Sequence, residues 1–148
     1  MATMTQASVY TLGYQMRSLD DYISELQGAG VDLVVDVRET PWSRKRGFSK
    51  RQLQEALDYA GIDYVHLKFA GNPKELRRTA TSHAACLAEY DLHIREDARI
   101  VQRFVEHLTE WVEKGIKACL LCYERHPDDC HRTILLSVRP KTRLSRPR

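Results

Sequence analysis

No stretch of the chain approaches the roughly 20 consecutive apolar residues that a membrane-spanning helix needs. The N-terminus, MATMTQASVY, also lacks the basic-then-apolar order of a secretory leader. A cytoplasmic protein with no membrane partner is therefore expected. Internal repeats and low-complexity tracts are missing as well, which removes repeat architectures. Cysteine is sparse, at Cys86, Cys119, Cys122 and Cys130. In a reducing compartment these four argue against a disulfide scaffold and leave metal binding, thiol chemistry or plain burial. What is present is a chain of 148 residues, 43% hydrophobic and 29% charged, the balance of a single globular domain.

The net charge of +3 is unevenly spread. Segment 139–148 holds five cations and no acid, which leaves residues 1–138 at −2. A second acid-free cluster runs through Arg44, Lys45, Arg46, Lys50 and Arg51. Both could meet phosphates, while a basic terminus is commonly only a solvated tail.

Val9–Tyr14 is a short apolar run ended by Gly13, and Ser18 with Asp21 three residues on marks a helix start. Leu19, Tyr22, Ile23, Leu26 and Ala29 then recur at helical spacing up to Gly30. The stretch from Asp32 to Arg38 is a continuous branched run, as in a strand buried on both faces of a parallel sheet. Ser49 with Gln52 predicts a capping box for a second helix through Leu53, Ala56, Leu57 and Ala60. Ile62–Phe69 alternates like a third strand, closed by Gly71, Asn72 and Pro73. Between Glu75 and Arg95 a thin stripe of Ala80, Ala84, Leu87 and Ala88 points to a helix. A clear amphipathic helix fills Asp97–Lys114, Lys117–Tyr123 reads as a buried strand, and His131–Val138 as a closing helix.

Strands alternating with helices imply one α/β domain over 9–138, a mostly parallel sheet with helices on both faces in a Rossmann-like three-layer arrangement. Residues 1–8 are expected to be a disordered N-terminus and 139–148 a basic C-terminal tail. Open parallel sheets carry their sites at the carboxyl ends of the strands. The residues there are Gly13 and Tyr14, Asp36 and Arg38, His66 and Lys68, and Cys122 to Glu124.

The densest constellation is the stretch from Cys122 to Arg132, with two thiols, two imidazoles, three carboxylates and two guanidinium groups in Cys-Tyr-Glu-Arg-His-Pro-Asp-Asp-Cys-His-Arg. If Cys130 opens the last helix, backbone N–H groups and Arg132 would welcome an anion there, and the same placement would acidify the Cys130 thiol. Zinc fits poorly, because Cys122 and Cys130 with His131 or His126 lack the usual ligand spacing. A thiol phosphatase loop needs an arginine six positions after the strand-end cysteine. From Cys122 that position is Asp128, and from Cys119 it is Arg125, but Cys119 lies inside the strand. Cys130 or Cys122 as nucleophile with a base from elsewhere is still open.

Asp36 and Arg38 share a strand face, so together they are either a ligand-facing pair or an internal ion pair, with Arg132 a further partner for the carboxylate. His66 divides in the same way between a satisfied core histidine and a catalytic one. The loop Thr40–Phe48 interleaves Trp42 and Phe48 with Arg44, Lys45 and Arg46, which suits stacking on bases and contact with phosphates as well as it suits an ordinary anchored loop.

Several of these residues form a wider pattern: Tyr10-Thr11-Leu12-Gly13-Tyr14 with Arg17-Ser18-Leu19, Val35-Asp36-Val37-Arg38 with Pro41 and Ser43, Phe48-Ser49, Tyr64-Val65-His66-Leu67, Cys122-Tyr123-Glu124 and Cys130-His131-Arg132. Together they resemble the family called domain of unknown function 488, over about Val9 to Val138. The resemblance implies a small cytosolic α/β protein of bacteria or archaea, and it assigns no reaction. Where many relatives carry a histidine, this chain has Tyr14, which can hydrogen-bond but does not replace a metal-binding imidazole.

The resulting expectation is a cleft that binds a phosphate-bearing small molecule or nucleic acid. Tyr14, Arg38, Cys122, His131 and Arg132 would bind the ligand, and Cys130, Asp36 and Glu124 would be the candidates for catalysis, by hydrolysis or transfer. No metal or cofactor is implied. The alternatives are a thiol-dependent enzyme using Cys130 or Cys122, and a nucleic-acid-binding module using Arg44, Lys45, Arg46 and the tail.

Overall fold

Branched and apolar residues at consecutive positions favour extended chain buried on both faces, and those runs form the centre of the sheet. In a computed structural model that describes residues 3–5, 9–125 and 131–137, the strands are β1 (Thr3–Thr5), β2 (Val9–Gly13), β3 (Leu33–Asp36), β4 (Asp63–His66) and β5 (Ala118–Cys122). Their order is β1-β2-β5-β3-β4, with β1 antiparallel to β2 and the other four strands parallel. The helices are α1 (Leu19–Gly28), α2 (Lys50–Tyr59), α3 (Lys74–Thr79), α4 (His83–Glu96), α5 (Ala98–Glu113) and α6 (His131–Ser137).

Alternation along the strands builds two cores. Val35, Val37 and Leu120 pack with Tyr90, Ile94, Phe104, Leu108 and Leu135 from α4, α5 and α6. On the opposite face, Val34, Cys119 and Leu121 pack with Tyr22 and Leu26 of α1 and Leu53 and Leu57 of α2. The molecule is thus the single α/β domain with helices on both faces that the alternation of elements implied.

The structure corrects some local expectations. Ser49 does not cap α2 with its side chain. Its hydroxyl accepts from the Ser43 N–H at 3.1 Å and donates to the Ser43 carbonyl, and Gln52 accepts from the Gly47 N–H, so both residues hold the preceding loop. The stretch after Gly71 is two helices, and the inward stripe of α4 is Cys86, Tyr90 and Ile94 while Ala84 and Ala88 are exposed. Large side chains four apart won over the small alanines because they bury more apolar area. The third strand stops at His66, where a 3-10 turn at Lys68–Ala70 begins. Thr3–Thr5, within the segment expected to be disordered, pairs with β2. The tail 139–148 and Cys130 lie outside the described residues. Among the described residues no helix is long and apolar enough to cross a membrane.

Candidate functional site

The chain leaves β2 and β3 towards the α1–α2 face and leaves β4 and β5 towards the α4–α6 face. Connections therefore reverse sides at β5, which lies between β2 and β3. A crevice opens where neighbouring strands send their chains apart. Here it is a cleft of about 610 Å³ whose walls include Tyr14 after β2, Arg38 to Thr40 and Trp42 to Arg44 after β3, Cys122 to Glu124 after β5, Arg77 of α3, Cys86 of α4 and His131 of α6.

Two glycines let backbones meet at its edge. The exits of β2 and β5 are joined by Tyr14 N–H to the Cys122 carbonyl at 3.2 Å and Gln15 N–H to the Tyr123 carbonyl at 2.8 Å. A Cβ on Gly13 would lie 1.7 Å from the Glu124 carbonyl oxygen, so only glycine permits this approach. A Cβ on Gly71 would likewise meet the Glu39 backbone nitrogen at 2.3 Å. Glu39 is then fixed by Lys74 N–H at 2.9 Å and by Arg77 at 3.6 Å, which brings the guanidinium of α3 to the cleft.

Asp36 and Arg38 are engaged with each other. Arg38 donates from Nε and Nη2 to the two Asp36 oxygens, and its Nη1 donates to the Phe48 carbonyl at 2.6 Å and the Tyr14 hydroxyl at 3.3 Å. Asp36 also accepts from its own strand end at Arg38 N and from Tyr64 Oη at 2.6 Å. Burial opposes the charge on Arg38, but the hydrogen bonds and charge of Asp36 outweigh it and hold the guanidinium above its ordinary pKa. Burial and the same carboxylate raise the Tyr64 phenol, which stays a neutral donor. Of the two readings of this pair, the geometry is that of an internal tie between β3, β4 and the 39–48 loop. Its carboxylate partner is Arg38, and Arg132 is not in contact with it.

Tyr14 stacks on Phe48 with centroids 4.4 Å apart, so its ring packs while its hydroxyl faces Arg38. His131 binds the Val37 carbonyl at 2.7 Å. A carbonyl only accepts, so Nε2 carries the proton. Burial, partly opposed by that hydrogen bond, lowers its pKa to about 4, and the imidazole at the cleft wall is neutral at pH 7. His66 makes the same kind of bond to the Arg38 carbonyl at 2.6 Å and lines a neighbouring hollow with Lys68 and Arg103.

Among the described residues Arg132 is the largest fully buried side chain, with 0% exposure. Its Nη2 donates to the Glu124 carbonyl at 2.7 Å, while Nε and Nη1 have no hydrogen-bond partner. Burial lowers its pKa, and the Tyr22, Cys119 and Glu124 groups oppose that only in part. Cys122, at the end of β5, is disulfide-bonded, contrary to the expectation of reduced cysteines, and its sulfur lies 3.6 Å from Glu124 Oε1. Burial pushes the Cys119 thiol up to about 12, which leaves it inert at neutral pH. Among the described residues no group of three or more His, Cys, Asp or Glu side chains is placed to share a metal ion.

Of the loop cations, Arg44 lines the cleft. Lys45 and Arg46 face a separate hollow beside Ser18, Leu19 and Gly47. Sequence reasoning missed Glu39 and Arg77, whereas Tyr123 stood within the strand-end stretch Cys122 to Glu124 that it placed at the site. Only the Glu-Thr-Pro turn after β3 hinted at the first, and nothing local could place Arg77, which arrives from 38 positions away in the chain.

Comparison with known proteins gives a family and a distant structural likeness. The model of the family described as Domain of unknown function DUF488 matches residues 18–138. No curated protein matches the chain. Among solved structures the chain is similar to two crystal structures of "Putative phosphatase (DUF442)" from Shewanella putrefaciens CN-32. The first is 15% identical at a TM-score of 0.47, with 86% of this chain and 64% of that one covered. The second is 16% identical at 0.46, with 84% and 60% covered. The chain thus spans less than two-thirds of the length of these structures.

Proposed function

We propose that this chain, which belongs to the family of Domain of unknown function DUF488, binds a phosphate-bearing ligand in the cleft at the carboxyl ends of β2, β3 and β5. Arg132 carries this reading. A fully buried guanidinium with two unpartnered nitrogens leaves several N–H donors desolvated and unpaired, which costs on the order of several kcal/mol. Arg132 does not itself line the cleft but lies behind the Glu124 backbone that does, so an oxyanion that reached past Glu124 would complete it with charge-assisted hydrogen bonds. Arg44 and Arg77 add cations at the mouth. Arg38 belongs to the frame of the site, since four of its five N–H donors are taken by Asp36, Phe48 and Tyr14.

Catalysis at this site would be hydrolysis or transfer at the phosphate, with Glu124 the carboxylate nearest to it. A thiol route through Cys122 is disfavoured, because its sulfur is held in a disulfide and carries no free thiol. The route through Cys130 is tested by Cys130→Ser, which would abolish turnover by a thiol enzyme and should leave phosphate binding intact.

The decisive test is thermal unfolding with and without inorganic phosphate. Binding to the folded state raises Tm with ligand concentration. The wild type should shift upward, Arg132→Met should not, and Arg44→Gln with Arg77→Gln should weaken the shift. A wild-type Tm indifferent to phosphate, or a shift that survives in all of these variants, would end the reading.

A further inference from the structure

We propose that the phosphate-bearing ligand is a mononucleotide whose base stacks on Trp42 and Tyr123; this rests on the phosphate reading above. Trp42 is 62% exposed, which leaves most of a large aromatic ring in water. Its exposure is not that of a slack loop. Trp42 N–H donates to the Thr40 carbonyl at 2.8 Å, Lys50 N–H to the Pro41 carbonyl at 2.8 Å, and Ser43 N–H to Ser49 Oγ at 3.1 Å. The loop is tied down on both sides of the ring and still presents it to water at the cleft wall.

Tyr123 is the second platform. It is 46% exposed on the same cleft, and its ring is fixed edge-on against Tyr14, with centroids 5.4 Å apart at 79°. One aromatic therefore stands at the end of β3 and the other at the end of β5, on either side of the crevice where the connections reverse. A bare phosphate or sugar phosphate has no planar face to use them, whereas every nucleobase has one. Thr40 and Ser43 on the same wall supply hydroxyl groups for a ribose, and Arg44 and Arg77 flank the space with cations for the phosphate. A volume of about 610 Å³ falls in the range of roughly 300–1,000 Å³ typical of single small-molecule sites. A polynucleotide would need a cationic track, but Lys45 and Arg46 turn to a different hollow.

The test is calorimetric titration of the full chain with AMP, GMP, CMP and UMP, ribose 5-phosphate and inorganic phosphate. Wild type and the surface variants Trp42→Ala and Trp42→Phe are compared. At least one nucleotide should bind roughly tenfold or more tighter than ribose 5-phosphate, and Trp42→Ala should erase that advantage without changing ribose 5-phosphate affinity. Trp42→Phe should restore most of it, and nucleotide should quench tryptophan emission in the wild type but not in Trp42→Ala. Equal affinity for nucleotides and ribose 5-phosphate overturns the nucleotide inference and leaves the phosphate reading standing. Failure of every phosphate compound to bind overturns both. An eight-nucleotide single strand that binds far tighter than any mononucleotide, with steep salt dependence, overturns it in favour of strand binding.

Discussion

Arg38 grips both oxygens of Asp36, at 2.8 and 2.7 Å, two residues away on the same strand end, so the most conspicuous charged pair of the sequence closes on itself. Asp36 is 0% exposed and Arg38 8%. Removing one partner of such a pair strands the other as a buried charge. We expect Asp36→Asn to destabilise the protein by about 3–5 kcal/mol, and Asp36→Asn with Arg38→Met to recover part of it. Urea denaturation checks this. A stable Asp36→Asn protein that had lost ligand binding would mean that the carboxylate faces the ligand.

Gly13 is the closest backbone approach at the site. The Cβ of Gly13→Ala would fall 1.7 Å from the Glu124 carbonyl oxygen, and Glu124 cannot retreat without breaking its bond to Arg132. A cost of about 1–3 kcal/mol is expected, as for other overpacked positions, together with weaker phosphate binding. Denaturation and titration on one preparation separate the two effects.

Arg132→Met should behave in the opposite way towards stability. Replacing an incompletely paired buried charge by an apolar chain of similar length is often neutral or stabilising. The ligand-free variant should therefore be as stable as the wild type, or more stable by on the order of 1 kcal/mol, while its response to phosphate disappears. A strongly destabilised variant would mark Arg132 as a structural residue only.

His131 predicts a pH dependence. Its ordinary value of 6.5 falls to about 4 in the folded chain, chiefly through burial. Between these values the unfolded chain binds the proton and the folded chain does not, so stability is complete above about pH 6.5 and is lost as pH falls towards 4. The loss is on the order of 3 kcal/mol. Denaturation midpoints at pH 7 and 4.5 should differ less in His131→Gln than in the wild type.

The order of elements was legible because it rests on local pattern. The branched run at Leu33–Asp36, the stripe of Ile100, Phe104, Leu108 and Trp111, and Ser18 capping Asp21 N–H each follow from residues within a turn or a strand of one another. The Ser49 and Gln52 reading failed because a hydroxyl and an amide had stronger uses in the loop in front of them. The alanines of α4 misled for a related reason, since a small residue fits a helix surface as readily as a core.

The sequence alone determined the alternation of strands and helices, the burial of the central strands and the gathering of reactive side chains at strand ends, all of which depend on periodicity and chain direction. Tertiary structure decided what those side chains do. Asp36 and Arg38 neutralise each other because β3, β4 and the Phe48 loop converge on them. Arg132 is left with unpartnered donors because α6 carries it beneath the Glu124 backbone. Arg77 and Trp42, 35 residues apart in the chain, share one cleft because Gly71 lets the Asn72 loop lie against Glu39. Such pairings depend on contacts between distant segments, and no local spacing encodes them.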